Sequence, residues 1–183
     1  VIGESRGILN TENAPALMYI APAKISGVTN GSNYSKITWG AVEGAVSYEV
    51  YRAEDAEGAE YSLVASLDAQ QLSFVDYNVE AGKTYLYNVK TIGAENTSAF
   101  SEGYKNTFLT IPQIKSIANA YGGITFTWSA VPGAEKYHVY RKIYGATYYT
   151  YITTVDADTL TFTDSGATNG KIMCYTVKAV NGQ

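Results

Sequence analysis

An imidazole and a thiol together can carry nucleophilic or metal chemistry, and this sequence has one residue of each type. The 183 residues contain a single histidine, His138, and a single cysteine, Cys174. A thiol beside an imidazole can be an activated nucleophile or part of a metal site. Apolar residues alternate with both positions, so both side chains are expected to point outward from strands. An open sheet face supplies no pocket, oxyanion donors or third ligand, so we predict no catalytic residue, no metal and no cofactor.

The stretch at residues 144–151 is the best candidate for ligand binding. It carries four tyrosines in a predicted hairpin: Tyr144, Tyr148, Tyr149 and Tyr151. A tyrosine ring offers a flat apolar face with a polar tip, which suits a sugar ring or a protein partner. The alternative interpretation is that tyrosine is a good strand residue and that half of these rings face a core.

Acidic residues gather in two loops, at residues 54–60 and at Asp156 and Asp158. A calcium site needs about six to eight oxygens converging on one point, and neither stretch has a recognisable calcium-loop spacing. We interpret both as solvated loop charge. Asp76 and Asp164 each close a predicted strand, and we expect them to accept hydrogen bonds in the turn that follows.

These candidates belong to a chain that repeats itself. Three landmarks of the first copy recur 89 positions later: Trp39, Gly44 and Arg52 return as Trp128, Gly133 and Arg141. Within each copy, apolar and polar residues alternate with a period of two, the pattern of strands with one buried face. No segment shows a sustained apolar stripe at helical spacing. The sequence therefore predicts an all-β chain of two tandem domains.

The pattern Trp-x-x-Val-x-Gly-Ala-x-x-Tyr-x-Val-Tyr-Arg begins at Trp39 and again at Trp128. It resembles strands B and C of fibronectin type III-like modules, in the form common in bacterial secreted and surface proteins. The resemblance extends over nearly the whole chain. It implies two tandem immunoglobulin-like β-sandwiches and an extracellular or cell-surface location.

The resemblance also has consequences for single residues. It implies that strands C and F are neighbours, which would bring His138 and Cys174 close together on one exposed face. In the family pattern, a tyrosine early in strand F bonds back to the turn before it. Tyr85 occupies that place in the first copy, whereas the second copy has Met173. The corner hydrogen bond is therefore expected in the first domain only.

The strand positions follow from the alternation and the turn residues. In the first domain we predict A, B, C, C′, E, F and G at residues 23–28, 35–39, 47–53, 62–67, 72–76, 84–92 and 102–109. In the second we predict A, B, C, C′, E and F at residues 113–117, 124–128, 136–142, 148–155, 159–163 and 171–180. Pro112 ends a short linker, so the domains are expected to sit end to end with limited freedom.

The predicted divisions are residues 1–20, 21–110 and 111–183. Residues 1–20 align at an offset of 90 with the end of the first domain, which predicts the F–G turn and G strand of a preceding module. The second domain is predicted to lack its own G strand. Three explanations compete: a piece clipped from a longer array, a G strand donated head to tail by a neighbouring copy, or a tolerated open edge. We favour the first explanation, a piece clipped from a longer array.

Composition excludes several classes of function. A net charge of −4 leaves no basic stripe to neutralise phosphates, which argues against nucleic acid. No apolar run approaches the roughly 20 residues of a membrane span. The first residues lack the charged-then-apolar order of a signal peptide, so we expect a mature or excised fragment. A single cysteine cannot form an internal disulfide, so the sandwiches rely on packing.

We therefore predict a non-catalytic structural or spacer pair of modules in a larger bacterial extracellular or cell-surface protein. It would position other domains of the same chain, its main partners, or form a stalk. One alternative is an adhesion module that binds polysaccharide or a host protein through the tyrosine-rich hairpin. The other is a filament subunit that self-associates head to tail through residues 1–20.

Overall fold

A computed structural model describes residues 17–182, in which all regular structure is β-strand. The first domain contains β1 (Ile25–Asn30), β2 (Ser35–Trp39), β3 (Ser47–Glu54), β4 (Ser62–Asp68), β5 (Ser73–Asp76), β6 (Thr84–Ile92) and β7 (Tyr104–Thr107). The second contains β8 (Ile114–Ala120), β9 (Gly123–Trp128), β10 (Lys136–Ile143), β11 (Thr150–Asp156), β12 (Thr161–Asp164) and β13 (Met173–Val180). Every strand predicted within these residues is present, and β2 and β6 have the predicted bounds.

Each domain is a β-sandwich made of two antiparallel sheets. The first packs β1-β2-β5 against β4-β3-β6-β7, and the second packs β12-β9-β8 against β11-β10-β13. The strand order is the same in both domains except for β7, which has no counterpart within residues 17–182. The prediction of an all-β fold with two tandem sandwiches is confirmed.

The repeated sequence pattern forms the centre of each core. In the first domain the Trp39 ring meets the Tyr48 ring edge-on at 5.7 Å, and the Tyr48 hydroxyl accepts a hydrogen bond from the Val42 amide. In the second domain Trp128 and Tyr137 also meet edge-on at 5.7 Å. A buried tyrosine needs a partner for its hydroxyl, and the turn between the two strands supplies one.

Three predictions about turns are confirmed. The Tyr85 hydroxyl accepts a hydrogen bond from the Glu80 amide at 3.0 Å, which is the corner bond expected in the first domain. Met173, at the matching place, has no hydroxyl to accept such a bond. Asp76 and Asp164 accept hydrogen bonds from backbone amides two residues further on, at 2.9 and 3.0 Å.

The two sandwiches join without spare residues between them. Phe108 belongs to the first core, and the next residue, Leu109, belongs to the second. Beside them Gly82 lies against Pro132 and Gly133, so closely that a Cβ atom at Gly82 would come within 2.9 Å of the Pro132 Cβ atom. Gly82 also has a φ of +84°, which favours glycine. We call this contact the internal junction.

The sandwiches differ at the edges of β6 and β13. In the first domain, β7 pairs with β6, and two serines cover the rest of that edge. The hydroxyls of Ser101 and Ser98 accept hydrogen bonds from the amides of Val89 and Thr91, each at 2.9 Å. In the second domain, β13 pairs with β10 and with no other strand within residues 17–182.

The predicted donor strand at residues 1–20 falls mainly on residues 1–16, which lie outside the described residues. Residues 17–20 have no regular secondary structure. The predicted boundary between residues 1–20 and the first domain therefore stays a prediction.

Candidate functional site

The outer face of the sheet β11-β10-β13 carries a cluster of aromatic rings. Tyr137 and Val139 on β10 are buried in the core, so the alternation of the strand turns His138 and Tyr140 outward, as predicted for His138. Tyr151 on β11 joins them. Its ring centroid lies 5.8 Å from that of His138 and 5.8 Å from that of Tyr140, both edge-to-face.

The four tyrosines of the hairpin all lie on the surface. Their exposed fractions range from 41% for Tyr149 to 83% for Tyr148. The interpretation that half of these rings face a core is therefore wrong: three of the tyrosines lie in the connection between β10 and β11, and Tyr151 points outward from β11. The chain reverses at Gly145, whose φ is +86°. The Lys142 ammonium lies 4.8 Å from the centre of the Tyr149 ring and holds it near the sheet through a cation–π contact.

His138 and Cys174 are not neighbours. Strands β10 and β13 pair as predicted, but in their register His138 is opposite Lys178, and Cys174 is opposite Lys142. Four residues along a strand span about 13 Å, too far for a thiol and an imidazole to share a proton or a metal ion. The expectation that the pair lies close together is wrong. Alternation places both side chains on one face, but the register sets the distance between them.

The acidic loop after β3 is held by surface ion pairs. Glu54 lies 3.1 Å from Lys83, and Asp55 lies 2.5 Å from Lys105. No three His, Cys, Asp or Glu side chains are grouped to hold a metal ion in the part of the chain that the structure describes. Residues 17–182 also contain no helix of the length and apolarity that a membrane crossing requires.

Each sandwich contains a polar cluster that the sequence analysis missed. In the first, the Asp76 carboxylate at the end of β5 accepts hydrogen bonds from the Arg52 guanidinium at 2.8 Å and from the Tyr87 hydroxyl at 3.0 Å. Asp76 and Tyr87 are buried. The pKa of the Tyr87 hydroxyl is raised, first by burial and then by the carboxylate beside it. We call this arrangement the Arg–Asp–Tyr triad.

The second sandwich repeats the triad. Asp164 accepts hydrogen bonds from Arg141 at 2.6 Å and from Tyr175 at 2.8 Å. Burial by itself would raise the pKa of Asp164. The hydrogen bonds from Arg141, from Tyr175 and from the Gly166 amide outweigh that effect and lower the pKa. Burial and the neighbouring carboxylate raise the pKa of Tyr175.

The triads connect strands and leave no carboxylate oxygen free for a substrate. Both Asp164 oxygens are bonded within the domain, and Asp164 is buried. A signal for the triad was present in the sequence, because its Arg recurs at an offset of 89 and its Asp and Tyr recur at an offset of 88. Taken singly, the arginine is only the end of a motif and the aspartate only a turn residue.

The matching outer face of the first sandwich also carries an aromatic cluster, one ring of which comes from the connection between β6 and β7. Phe100, from the connection between β6 and β7, meets Tyr51 edge-on at 5.0 Å and lies 5.5 Å from the Tyr61 ring. The Lys90 ammonium lies 4.2 Å from the Phe100 ring. The Tyr51 hydroxyl donates to Glu49 at 2.7 Å, and this bond raises the pKa of Tyr51. Phe100 is itself 40% exposed, so both sandwiches carry rings on this surface, and the second differs by the exposed tyrosines of its hairpin.

The chain is similar to several solved structures. A β-1,2-glucanase from Parabacteroides distasonis is 21% identical, with a TM-score of 0.44; the match covers 53% of this chain and 14% of the glucanase. An Fn3-like protein from Clostridium thermocellum is 26% identical, with a TM-score of 0.41, over 48% of this chain and 94% of that one. A segment of two fibronectin type III domains from chicken tenascin is 14% identical, with a TM-score of 0.40, over 89% of this chain and 91% of the segment.

The sequence matches no protein-family model and no curated protein. Two of the three similar structures described above are fibronectin type III or Fn3-like by name. By strand order and sheet pairing, the chain is a tandem of fibronectin type III-like β-sandwiches, the family that its repeated pattern resembles.

Proposed function

We propose that this chain is a non-catalytic spacer, a stiff pair of modules that positions other domains of a larger bacterial extracellular or cell-surface protein or forms part of its stalk. Its partners are then the neighbouring domains of the same longer chain. The bacterial and extracellular setting rests on the sequence resemblance. The mechanical role rests on the internal junction.

The observation that carries this proposal is the burial of two adjacent residues in two different cores. The Phe108 amide donates to the Lys83 carbonyl, and the Phe108 carbonyl accepts from the Gly82 amide, each at 2.9 Å. Leu109, about 3.8 Å further along the backbone, already packs in the second core. A hinge needs residues that are free to change their backbone angles. No such residue lies between Phe108 in the first core and Leu109 in the second.

A distance measurement between the domains tests this stiffness. Leu63 on β4 and Ile117 on β8 are exposed side chains in different sandwiches, so each can be replaced by cysteine and spin-labelled in a Cys174→Ser background. We expect one narrow distance distribution by pulsed electron resonance. A Gly-Gly-Ser-Gly insertion between Leu109 and Thr110 is the matched control and should broaden it. A distribution that is already broad without the insertion would contradict the spacer proposal.

A second candidate function is the binding of a polysaccharide or a protein through the tyrosine-rich hairpin. Its support is the aromatic cluster of the second sandwich, where rings on β10 and β11 continue into the exposed tyrosines of the connection. Isolated surface aromatics are ordinary, but a contiguous exposed group of them is typical of binding surfaces. In the first sandwich the matching connection at residues 55–61 has Tyr61 as its single aromatic residue, so the fold itself does not require such a run of tyrosines.

Retention on insoluble cell-wall and plant polysaccharides tests the second candidate. We expect retention that the double variant Tyr148→Ala with Tyr149→Ala removes. Tyr77→Ala, which alters an exposed tyrosine of the first sandwich, is the control and should leave retention unchanged. No retention, or retention that the double variant keeps, would reject binding at this hairpin and leave the spacer proposal untouched.

A further inference from the structure

The two sandwiches carry formal charges of opposite sign. Residues 21–110 contain six lysines and arginines against eleven aspartates and glutamates, a formal charge of −5. Residues 111–183 contain six against four, a formal charge of +2. The net charge of −4 for the whole chain therefore includes a second sandwich that is weakly basic. A local excess of one sign raises the concentration of oppositely charged ligands near it.

Much of this positive charge lies on the outer face of the second sandwich. The alternation that turns His138 outward on β10 also turns Lys136 and Lys142 outward. On β13, Lys178 is directly opposite His138 in the strand register, so its side chain lies on the same face. Asp156, opposite Lys136, is the single acidic residue of the three strands β10, β11 and β13.

The matching face of the first sandwich is not basic. The three outward positions of β10 correspond to Ser47, Glu49 and Ala53 of β3. Lys90 of β6 has the place of Lys178, but Lys90 is opposite Glu49 in the register, whereas Lys178 is opposite a histidine. The positive charge of the second face is therefore a property of that sandwich and not of the shared fold.

The lysines of this face have no carboxylate close by. Among residues 17–182, the ammonium groups of Lys136, Lys142 and Lys178 take part in no salt bridge, whereas Lys83 of the first sandwich takes part in two. The Lys142 ammonium contacts the Tyr149 ring, which does not neutralise its charge. An ammonium group without a carboxylate partner is available to pair with an anionic group of a ligand.

Tyrosine rings lie between two of these lysines. Tyr140 and Tyr151 are opposite each other in the register, and Tyr151 is 52% exposed. Lys142 follows Tyr140 by two residues on β10, and Lys178 is two residues along β13 from Thr176, the partner of Tyr140. The two lysines therefore flank the rings from opposite sides, about 13 Å apart along the strands. A sugar ring can stack on an exposed tyrosine while its substituents reach the flanking groups.

We propose that the outer face of the second sandwich binds an acidic polysaccharide, whose sugar rings stack on the tyrosines while its carboxylates pair with Lys142 and Lys178. This inference rests on the second candidate function, binding at the tyrosine-rich hairpin, and names its ligand. A few separated lysines match a chain with widely spaced charges. Duplex DNA carries about one charge for each 1.7 Å of its axis and would need a denser basic surface.

Calorimetric titration of the full chain with soluble polygalacturonate tests the proposal. Fully methyl-esterified polygalacturonate is the matched ligand, because it has the same sugar backbone without free carboxylates. We expect binding to polygalacturonate that weakens as the salt concentration rises, since salt screens exposed charges. Binding to the ester should be about tenfold weaker, the effect of losing two exposed ion pairs.

A pair of charge variants locates the binding on this face. Lys142→Gln with Lys178→Gln should weaken binding to polygalacturonate by about tenfold and leave binding to the ester unchanged. Lys24→Gln with Lys36→Gln is the control, since it removes the same charge from exposed positions of the first sandwich, and it should bind like the unaltered chain.

Three results would each overturn the proposal: no binding to polygalacturonate, equal affinity for the free and esterified polymers, or equal losses in the two lysine variants. The second candidate function fails separately. It survives any of these results if the insoluble polysaccharides still retain the chain and Tyr148→Ala with Tyr149→Ala removes that retention. It is rejected together with the acidic ligand if no polysaccharide binds.

Discussion

In the first sandwich Tyr87 is fully buried and the Arg52 side chain is 21% exposed; in the second, Tyr175 is partly buried and Arg141 is 32% exposed. The residue types of the two triads are the same, and in each the aspartate accepts hydrogen bonds from the arginine, the tyrosine and a backbone amide. Their surroundings differ because β7 and its connection flank β6, whereas no strand flanks β13 on that side within residues 17–182. Removing one partner of an ion pair lowers the stability of the fold more where water cannot reach the group that is left behind.

The largest effect is expected from removing the carboxylate of each triad. Asp76→Ala leaves the buried Tyr87 hydroxyl without its acceptor and removes the charge partner of Arg52, which keeps only its hydrogen bond to the Asn78 carbonyl. It should lower the free energy of unfolding of the first domain by about 3–5 kcal/mol. Asp164→Ala should cost the second domain less, about 1–3 kcal/mol, because water can reach Arg141 and Tyr175.

The single tryptophan of each domain allows the two losses to be measured separately. Trp128→Phe leaves Trp39 as the reporter of the first domain, and Trp39→Phe leaves Trp128 as the reporter of the second. Urea unfolding followed by fluorescence then gives the change in the free energy of unfolding of each domain within its own tryptophan background. Equal losses in the two domains would show that the open edge does not weaken the second triad.

The corner hydrogen bond gives the next effect. Tyr85→Phe removes the acceptor of the Glu80 amide and should destabilise the first domain by about 1.5 kcal/mol. The converse change, Met173→Tyr, places a hydroxyl at the matching corner of the second domain and should stabilise it by about 1 kcal/mol. Urea unfolding of both variants checks the pair of predictions. A stabilising effect of Tyr85→Phe would contradict the role given to this bond.

The strands and corners could be predicted from the sequence because they depend on neighbours along the chain. Alternation at Trp39 and Trp128 placed the cores. The family resemblance implied a corner bond, and the types of Tyr85 and Met173 then indicated which domain has it. The distance from His138 to Cys174 could not be predicted, because it depends on the register between two strands and no local pattern sets that register. The triads were missed for a related reason: Arg52, Asp76 and Tyr87 lie on three strands, so only their packing brings them together.

A smaller effect, of opposite sign, is expected at Thr91. Its hydroxyl is buried without a hydrogen-bond partner, whereas the matching residue of the second domain, Ala179, carries no polar group. Thr91→Val keeps the volume and removes the unpaired hydroxyl, so it should stabilise the first domain by about 1 kcal/mol. Thr107→Val is the control, since the Thr107 hydroxyl is paired with that of Thr84, and it should not stabilise. Loss of stability in Thr91→Val would indicate that a bound water satisfies the hydroxyl.

The smallest effect is the pH dependence of the second triad, because its partial exposure lets water screen the charges. The folded state lowers the pKa of Asp164, so the stability that this group contributes is present above its ordinary value near ~3.9 and is lost as the pH falls through the folded value. The folded state raises the pKa of Tyr175, so that contribution is present below ~10 and is lost as the pH rises beyond it. Tyr175→Phe should therefore flatten the alkaline decline in the unfolding midpoint of the second domain, which Trp128 reports. The alkaline decline in the midpoint of the first domain, which Trp39 reports, should not change. The acid decline should persist in the variant, since the Arg141 and Gly166 bonds still favour the ionised Asp164. If the alkaline decline is equally steep in the variant, other tyrosines and lysines cause it and the second triad contributes nothing to it.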